Sequence, residues 1–330
     1  MNGMGTLYID RREVDLRQEG PRLVVYEAGA RTGAIPVSHL ERVVVYRRAV
    51  VDTAVLGALA EGGVGFVVVN QRRPERTVHL IGRSHNDVGR RLAQFARFRE
   101  EDWRLGWSVR LIAHKLRAQR RVLLRALAER PDARRALTAA ARALEERLAS
   151  LRAPGEGLTR GAVRGIEGAG AAAYFRGFTA LFPDSLGFKG RNRRPPRDPV
   201  NACLSLGYTL LHAEAVVAAH AAGLEPLLGF YHEPAFGRDS LAADLIEPLR
   251  PKVDVWVWGL FRRRDLRAES FRQDRGACLL DKEGREVFYR QWEPAARPLR
   301  RALRRHANLL ARALAHEGEA FLVEEEDDEA

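Results

Sequence analysis

Only two cysteines occur in the 330 residues, Cys203 and Cys278, and both sit in apolar stretches (NACLSLG and GACLLD). With no C-x-x-C pair and no metal-type spacing they read as buried thiols, which excludes a zinc ribbon and a disulfide framework. No apolar run reaches the roughly 20 residues that a membrane span requires. The first residues, MNGMGTLYIDRREVDLR, also lack the basic-then-apolar pattern of a signal peptide. The expectation is a cytoplasmic protein with no membrane association. A G-x-G-x-x-G after a strand, a Walker A loop and a G-x-S-x-G elbow are missing too, so the usual nucleotide and hydrolase readings fall away.

Arginine is abundant. Hydrophobic residues make up 46% and charged residues 30%, the balance of a globular protein, and the net charge is +12. Six acids crowd into the last seven residues, EEEDDEA, so the body before them is more basic still. Nearly all of its positive charge is guanidinium, the group best shaped for bidentate phosphate contacts, which points to a polyanionic partner. An arginine-rich proteome would give the same composition with no such partner. The tail at 324–330 reads as a solubilising end or, less simply, as a DNA mimic that competes for the basic surface.

The fold class expected is α+β, with a small β-rich domain over residues 1–83 and a larger helical domain over 84–323. Strand signals fill the first part: TLYID, RLVVYE, the run ERVVVYRRAVV and GVGFVVVN, separated by turns such as EAGARTGA. Between them DTAVLGALAEGG reads as one short helix closed by Gly62 and Gly63. From Ser84 onward apolar residues recur at helical spacing. Two interruptions stand out. LGFKGRNRRPPRDP, residues 186–199, is a proline-framed basic loop whose Lys189, Arg191, Arg193, Arg194 and Arg197 suit contacts to a phosphate backbone. GACLLDKEGREVF reads as a hairpin between helices with Lys282, Glu283 and Gly284 at its turn.

Candidate chemistry concentrates in GFYHEPAFGRDSLAADLIEPLRP, residues 229–251. Asp239 or Ser240 can cap a helix, and Pro248 and Pro251 mark its end. Asp244 and Glu247, three apart, share one helical face with Cβ atoms about 5 to 6 Å apart. Arg250 or Arg238 could neutralise them at a solvated helix end, which needs no function. His232 sits in a loop bounded by Gly229 and Gly237, and with the two acids it makes a divalent-metal set suited to Mg²⁺, Mn²⁺ or Zn²⁺. Glu167, flanked by Gly165, Gly168 and Gly170 in RGIEGAGAAAYF, is the best further carboxylate, because small neighbours let a bulky backbone approach. A glutamate favoured by the dipole at a helix start would look the same.

Three blocks, RGIEGAGAAAYF, RNRRPPRDPVNACLSLGYTLLHAE and GFYHEPAFGRDSLAADLIEPLRPKVD, resemble the CRISPR-associated adaptation integrase family, the first of the Cas proteins, in order and spacing. The amino-terminal strands and the helix LRRALRRHANLLARAL also fit, so the resemblance covers essentially the whole chain. It implies an endonuclease/integrase whose β-rich domain dimerises, and a homodimer that assembles with the small second Cas protein and DNA. It implies a Mg²⁺ or Mn²⁺ ion on Glu167, His232 and Glu247, with Asp244 as a further acid near that metal and Asn201 as a supporting residue. Arg238 joins the loop cations as an expected DNA contact. Where the family commonly has an arginine five residues after the glutamate, this chain has Ala172, and Arg164 or Arg176 could supply that cation. The competing expectation is a non-catalytic, basic, helical DNA-binding protein whose acids merely end a helix.

Overall fold

The computed structural model describes residues 5–69, 78–80, 87–152, 157–192 and 195–318. The acidic tail, the 83/84 boundary, Arg193 and Arg194 lie outside the described residues.

The β-rich part holds β1 (Gly5–Ile9), β2 (Val14–Glu19), β3 (Arg22–Glu27), β4 (Ala30–Pro36), β5 (Leu40–Val45), β6 (Ala49–Val51), α1 (Thr53–Glu61), β7 (Gly65–Val68) and β8 (Val78–Leu80). They form two four-stranded sheets, ordered β1-β5-β7-β8 and β4-β3-β2-β6. The run ERVVVYRRAVV is therefore two strands in two sheets. EAGARTGA, expected as a turn, is mostly strand. Only Ala28 and Gly29, at φ 49° and 81°, make the tight turn, and β4 starts at Ala30.

Alternation along β5 and β7 explains why residues 43–45 and 66–68 are apolar without a break. Val43, Val45 and Phe66 face a core shared with Leu16, Leu23, Val55 and Leu59, while Val44, Tyr46 and Val67 join the core of the helical part. A sheet covered on both faces has no polar side to display. The stack of Tyr8, Tyr46 and Tyr289 continues that contact into the last helix.

The helical part comprises α2 (Val88–Arg99), α3 (Glu101–Glu129), α4 (Arg134–Arg152), α5 (Arg160–Thr179), α6 (Pro199–Ala221), α7 (Ser240–Ile246), α8 (Arg250–Arg262) and α9 (Lys282–Gly318), with strands β9 (Phe271–Asp274) and β10 (Ala277–Leu280) between α8 and α9. The hairpin exists, but its turn is Arg275-Gly276, at φ 51° and 79°, the left-handed pair a two-residue turn requires. Lys282, Glu283 and Gly284 open α9 instead. Counter to the reading that no segment could span a bilayer, α6 is long and apolar enough to do so; it is mostly buried among the other helices. The helix after Asp239 ends at Ile246, just before Pro248 as expected, but a 3₁₀ turn over Glu247–Leu249 passes directly into α8, so Pro251 opens that helix in its first turn, where no amide donor is needed, and does not mark an end.

Close packing sets α5. A Cβ on Gly170 would come within 2.6 Å of Leu116 on α3, and one on Gly177 within 2.6 Å of Ala140 on α4, so both positions must be bare.

Candidate active site

α3, α5, the 229–239 loop and the α7–α8 turn converge on one point. Glu167 lies in the middle of α5, eight residues in, which removes the helix-start explanation for it. Its carboxylate and that of Glu247 grip the same cation: Lys115 Nζ on α3 is 2.5 Å from Glu167 Oε1 and 2.5 Å from Glu247 Oε2. Arg250 Nε donates to the other oxygen of Glu247 at 2.8 Å, the neutralising contact that the sequence spacing allowed. Glu247 is nonetheless buried, not solvated. Burial opposes its ionisation, yet the charges of Arg250, Lys115 and His232 outweigh burial and hold the carboxyl well below its usual range. For Lys115 burial likewise opposes the charge, and Glu247 and Glu167 reverse it, so its pKa is raised.

His232 is placed by Asp244. The fully buried carboxylate accepts the amides of Phe230 at 2.7 Å and Tyr231 at 2.9 Å on one oxygen, and the amide of His232 at 3.0 Å on the other. That second oxygen also meets His232 Nδ1 at 2.7 Å. The ring is thereby fixed, with Nε2 left as its remaining ligand atom. Gly229 makes this possible: a Cβ there would lie 2.6 Å from the backbone of Ser240, so only glycine lets the loop lie against the start of α7.

Glu233, next to the histidine, anchors the loop from outside. Arg104, Arg160 and Arg164 all bond its carboxylate. Burial works against that charge, but the three guanidinium hydrogen bonds bring the pKa down to about 2. Arg164 is thus engaged, also reaching the carbonyl of Tyr231 at 3.4 Å, whereas Arg176 and Ala172 are exposed on α5.

The basic loop divides into two kinds of cation. Arg191 turns inward, donating to Asn201 Oδ1 at 2.8 Å and Ser205 Oγ at 3.0 Å with its guanidinium over Tyr208, so it holds the loop together. Asn201, buried, also donates to the carbonyl of Gly190 at 2.8 Å and ties the loop to the start of α6. Lys189, Arg197 and Arg238 are exposed. Below Glu247, Arg250 stacks on Tyr208, and Tyr208 and Tyr174 both donate to buried Asp254. Burial lifts the Asp254 carboxyl to about 6 despite those two donors.

Sequence reasoning missed Lys115 and two of the three arginines on Glu233, Arg104 and Arg160. Lys115 had a usable signal: it lies among Leu111, Ile112, Leu116 and Gln119, the buried face of α3, where an unpaired ammonium would be costly.

Along α5, a Cβ at Gly165 or at Gly168 would have no atom within 4 Å, so the helix carries bare backbone at these exposed positions near Glu167 in sequence, though neither shares its helical face. The family model of CRISPR associated protein Cas1 matches residues 7–294. The chain belongs to the Cas1 family. It is 35% identical over 298 residues to the CRISPR-associated endonuclease Cas1 1 of Thermodesulfovibrio yellowstonii, covering 88% of this chain and 91% of that one. It is 36% identical over 297 residues to CRISPR-associated endonuclease Cas1 3 of Thermus thermophilus, covering 88% and 84%. The Cas1 fold extends to solved structures at lower identity. A casposase bound to integration product superposes with TM-score 0.82 at 19% identity over 95% of this chain and 91% of that one. A Cas1 protein from Thermotoga maritima gives 0.81 at 20% identity over 94% and 97%.

Could these residues hold a divalent ion? Among the described residues no group of three or more His, Cys, Asp or Glu side chains is drawn together as a metal cluster. The donor chemistry does fit. Two carboxylates already share one cation, and an imidazole oriented through Nδ1 stands close enough for its charge to act on Glu247. Carboxylate oxygens with one nitrogen suit Mg²⁺ or Mn²⁺.

Proposed function

We propose that this Cas1-family chain is a divalent-metal-dependent DNA endonuclease and integrase that inserts captured fragments at CRISPR repeat ends. The observation that carries the reading is the convergence of Glu167 and Glu247 on a single cation position beside a histidine fixed by Asp244. The names of the relatives, Cas1 endonucleases and a casposase bound to integration product, support it.

Glu167, His232 and Glu247 would hold Mg²⁺ or Mn²⁺, which supplies polarisation of a phosphoryl oxygen and stabilises the oxygen that attacks or leaves. Asp244 keeps the imidazole in one orientation, and Arg250 fixes Glu247 from the side away from Lys115. Gly168, next to Glu167 on α5, leaves bare backbone that a phosphate backbone could approach. Lys189, Arg197 and Arg238, with Arg193 and Arg194, would hold DNA by its phosphates. The 3′-hydroxyl of a fragment then attacks a repeat-edge phosphodiester, one ester forming as another breaks. Water in place of that hydroxyl gives the nuclease reaction.

The partners proposed are DNA, a second copy of this chain through the β-rich part, and a small Cas2 protein. A solved Cas6-RT-Cas1–Cas2 complex contains a chain of this fold, TM-score 0.78 at 21% identity, which the present chain covers for 36% of its length.

The test incubates purified protein and Cas2 with a 3′-hydroxyl fragment, a repeat-bearing plasmid and Mn²⁺. Joined product is expected, lost with chelator, with Glu167→Ala or with a 3′-deoxy end. Joining that persists in Glu167→Ala sinks the site. DNA binding alone, indifferent to chelator, would instead establish the architectural reading.

A further inference from the structure

The ligand set proposed above encloses a cation that the protein itself supplies. Lys115 is 7% exposed, and its Nζ stands 2.5 Å from one oxygen of each glutamate. Its type is informative. The chain has 55 Lys and Arg residues, and only four are lysine: Lys115, Lys189, Lys252 and Lys282. The cation that bridges the two carboxylates here is the rare one. An ammonium is a compact point charge that can sit between two oxygens and leave by rotating its stem, whereas the guanidinium of Arg300, which also spans two carboxylates, holds them through a rigid planar fork. An ammonium wedged between two of the three ligands also accounts for their failure to form a closed metal cluster as they stand.

We propose that Lys115 is the resident counter-ion of the ligand-free site and exchanges with the divalent metal, setting metal affinity by direct competition. The proposal rests on the metal reading of Glu167, His232 and Glu247. Without Lys115 the free protein would hold Glu167 beside a buried Glu247 whose second oxygen has no cation, an arrangement that burial disfavours. With it, the site is preassembled. Charge also gives the exchange a direction. Glu167, Glu247 and Asp244 set against Lys115 and Arg250 leave one surplus negative charge, imidazole aside, and exchanging the Lys115 charge for a divalent ion brings the set to neutrality. The exchange removes the charge that would repel a phosphodiester, so metal and DNA backbone reinforce each other's binding.

The experiment titrates Mn²⁺ into the DNA-free protein by calorimetry, with the Mn²⁺-induced rise in melting temperature as a second readout. Competition lowers apparent affinity by the fraction of molecules in which Lys115 has left the glutamates. Lys115→Met is therefore expected to bind about tenfold tighter if that fraction is about one in ten, and to gain more in melting temperature than the parent. Lys115→Arg moves the other way and binds more weakly. Equal or weaker binding by a folded Lys115→Met overturns the proposal. Should that variant not fold, the unmodified protein decides by mass-spectrometric acetylation: Mn²⁺ raises labelling of Lys115 relative to Lys189, Lys252 and Lys282, and no rise overturns the exchange. Failure of the underlying reading looks different, since the parent would then bind Mn²⁺ no better than Glu247→Gln.

Discussion

Two clusters in this molecule set two cations against two carboxylates, and only the one at the candidate site carries the proposed chemistry. At the seam between strands and helices, Arg300 on α9 bonds Glu214 on α6 at 2.9 Å and Glu293 at 2.7 Å. Arg42 on β5 pairs with the same Glu214, while Thr6 and Tyr8 of β1 complete the cluster. Arg300, Arg42 and Glu214 are all buried, and the guanidinium forks fill the carboxylates. In the candidate site the bridging cation is a lysine, and one carboxylate, Glu167, is 21% exposed beside bare helix. Buried charge therefore marks rigidity in both places. What separates them is the bridging cation, lysine in one and arginine in the other, since Glu293 at 19% is about as exposed as Glu167.

The widest separation should come from breaking each cluster once. Glu167→Ala is expected to lower strand transfer by more than about a thousandfold while leaving the melting temperature nearly unchanged. Arg300→Met should cost about 3–5 kcal/mol in chemical denaturation by stranding buried carboxylates, with activity per folded molecule intact. The contrast collapses if the two variants trade phenotypes. Next in size, Asp244→Asn keeps the loop's shape but weakens its hold on the imidazole, and Mn²⁺ affinity should fall about 10- to 100-fold by titration.

A smaller effect belongs to Asp254, which lies beneath the site. Its carboxyl is raised from 3.8 to about 6 chiefly by burial, so the folded state binds the proton more tightly than the unfolded one. Its stabilising contribution is complete below pH 3.8 and declines as pH rises toward 6. Asp254→Asn should flatten that slope in denaturation series. The smallest change is expected from Lys189→Ala or Arg197→Ala. Each should weaken DNA binding slightly and reduce the slope of log affinity against log salt by about 0.9 if the side chain meets a phosphate.

Much of this architecture was legible because periodicity reports burial. The two-part α+β organisation, α1 with its closing glycines, and the placement of His232 on a loop and of Asp244 and Glu247 on and at the end of a helix were readable, whereas the position of Glu167 inside α5 was not. The misreadings have physical causes. Arg275-Gly276 contains a residue not typical of a left-handed turn, so KEG looks the stronger turn, and EAGARTGA reads as a turn throughout although only its Ala28-Gly29 makes one. Pro248 and Pro251 look like a helix end because spacing cannot show that a 3₁₀ turn carries the chain into another helix. Lys115 was invisible to any motif. It acquires meaning only when α3 is packed against α5 and the α7–α8 turn.

The bare flank of α5 also bears on how such a protein can be improved. Glycine inside a helix costs about 1 kcal/mol relative to alanine, and Gly165 and Gly168 have room for a methyl group that touches nothing in the free protein. A selection for heat resistance would therefore find Gly165→Ala and Gly168→Ala early, each adding about 0.5–1 kcal/mol to the melting free energy. On the proposed function, the methyl at Gly168, next to Glu167, would stand in the approach of a DNA backbone. Thermal robustness and catalytic output would then be set against each other within one turn of α5.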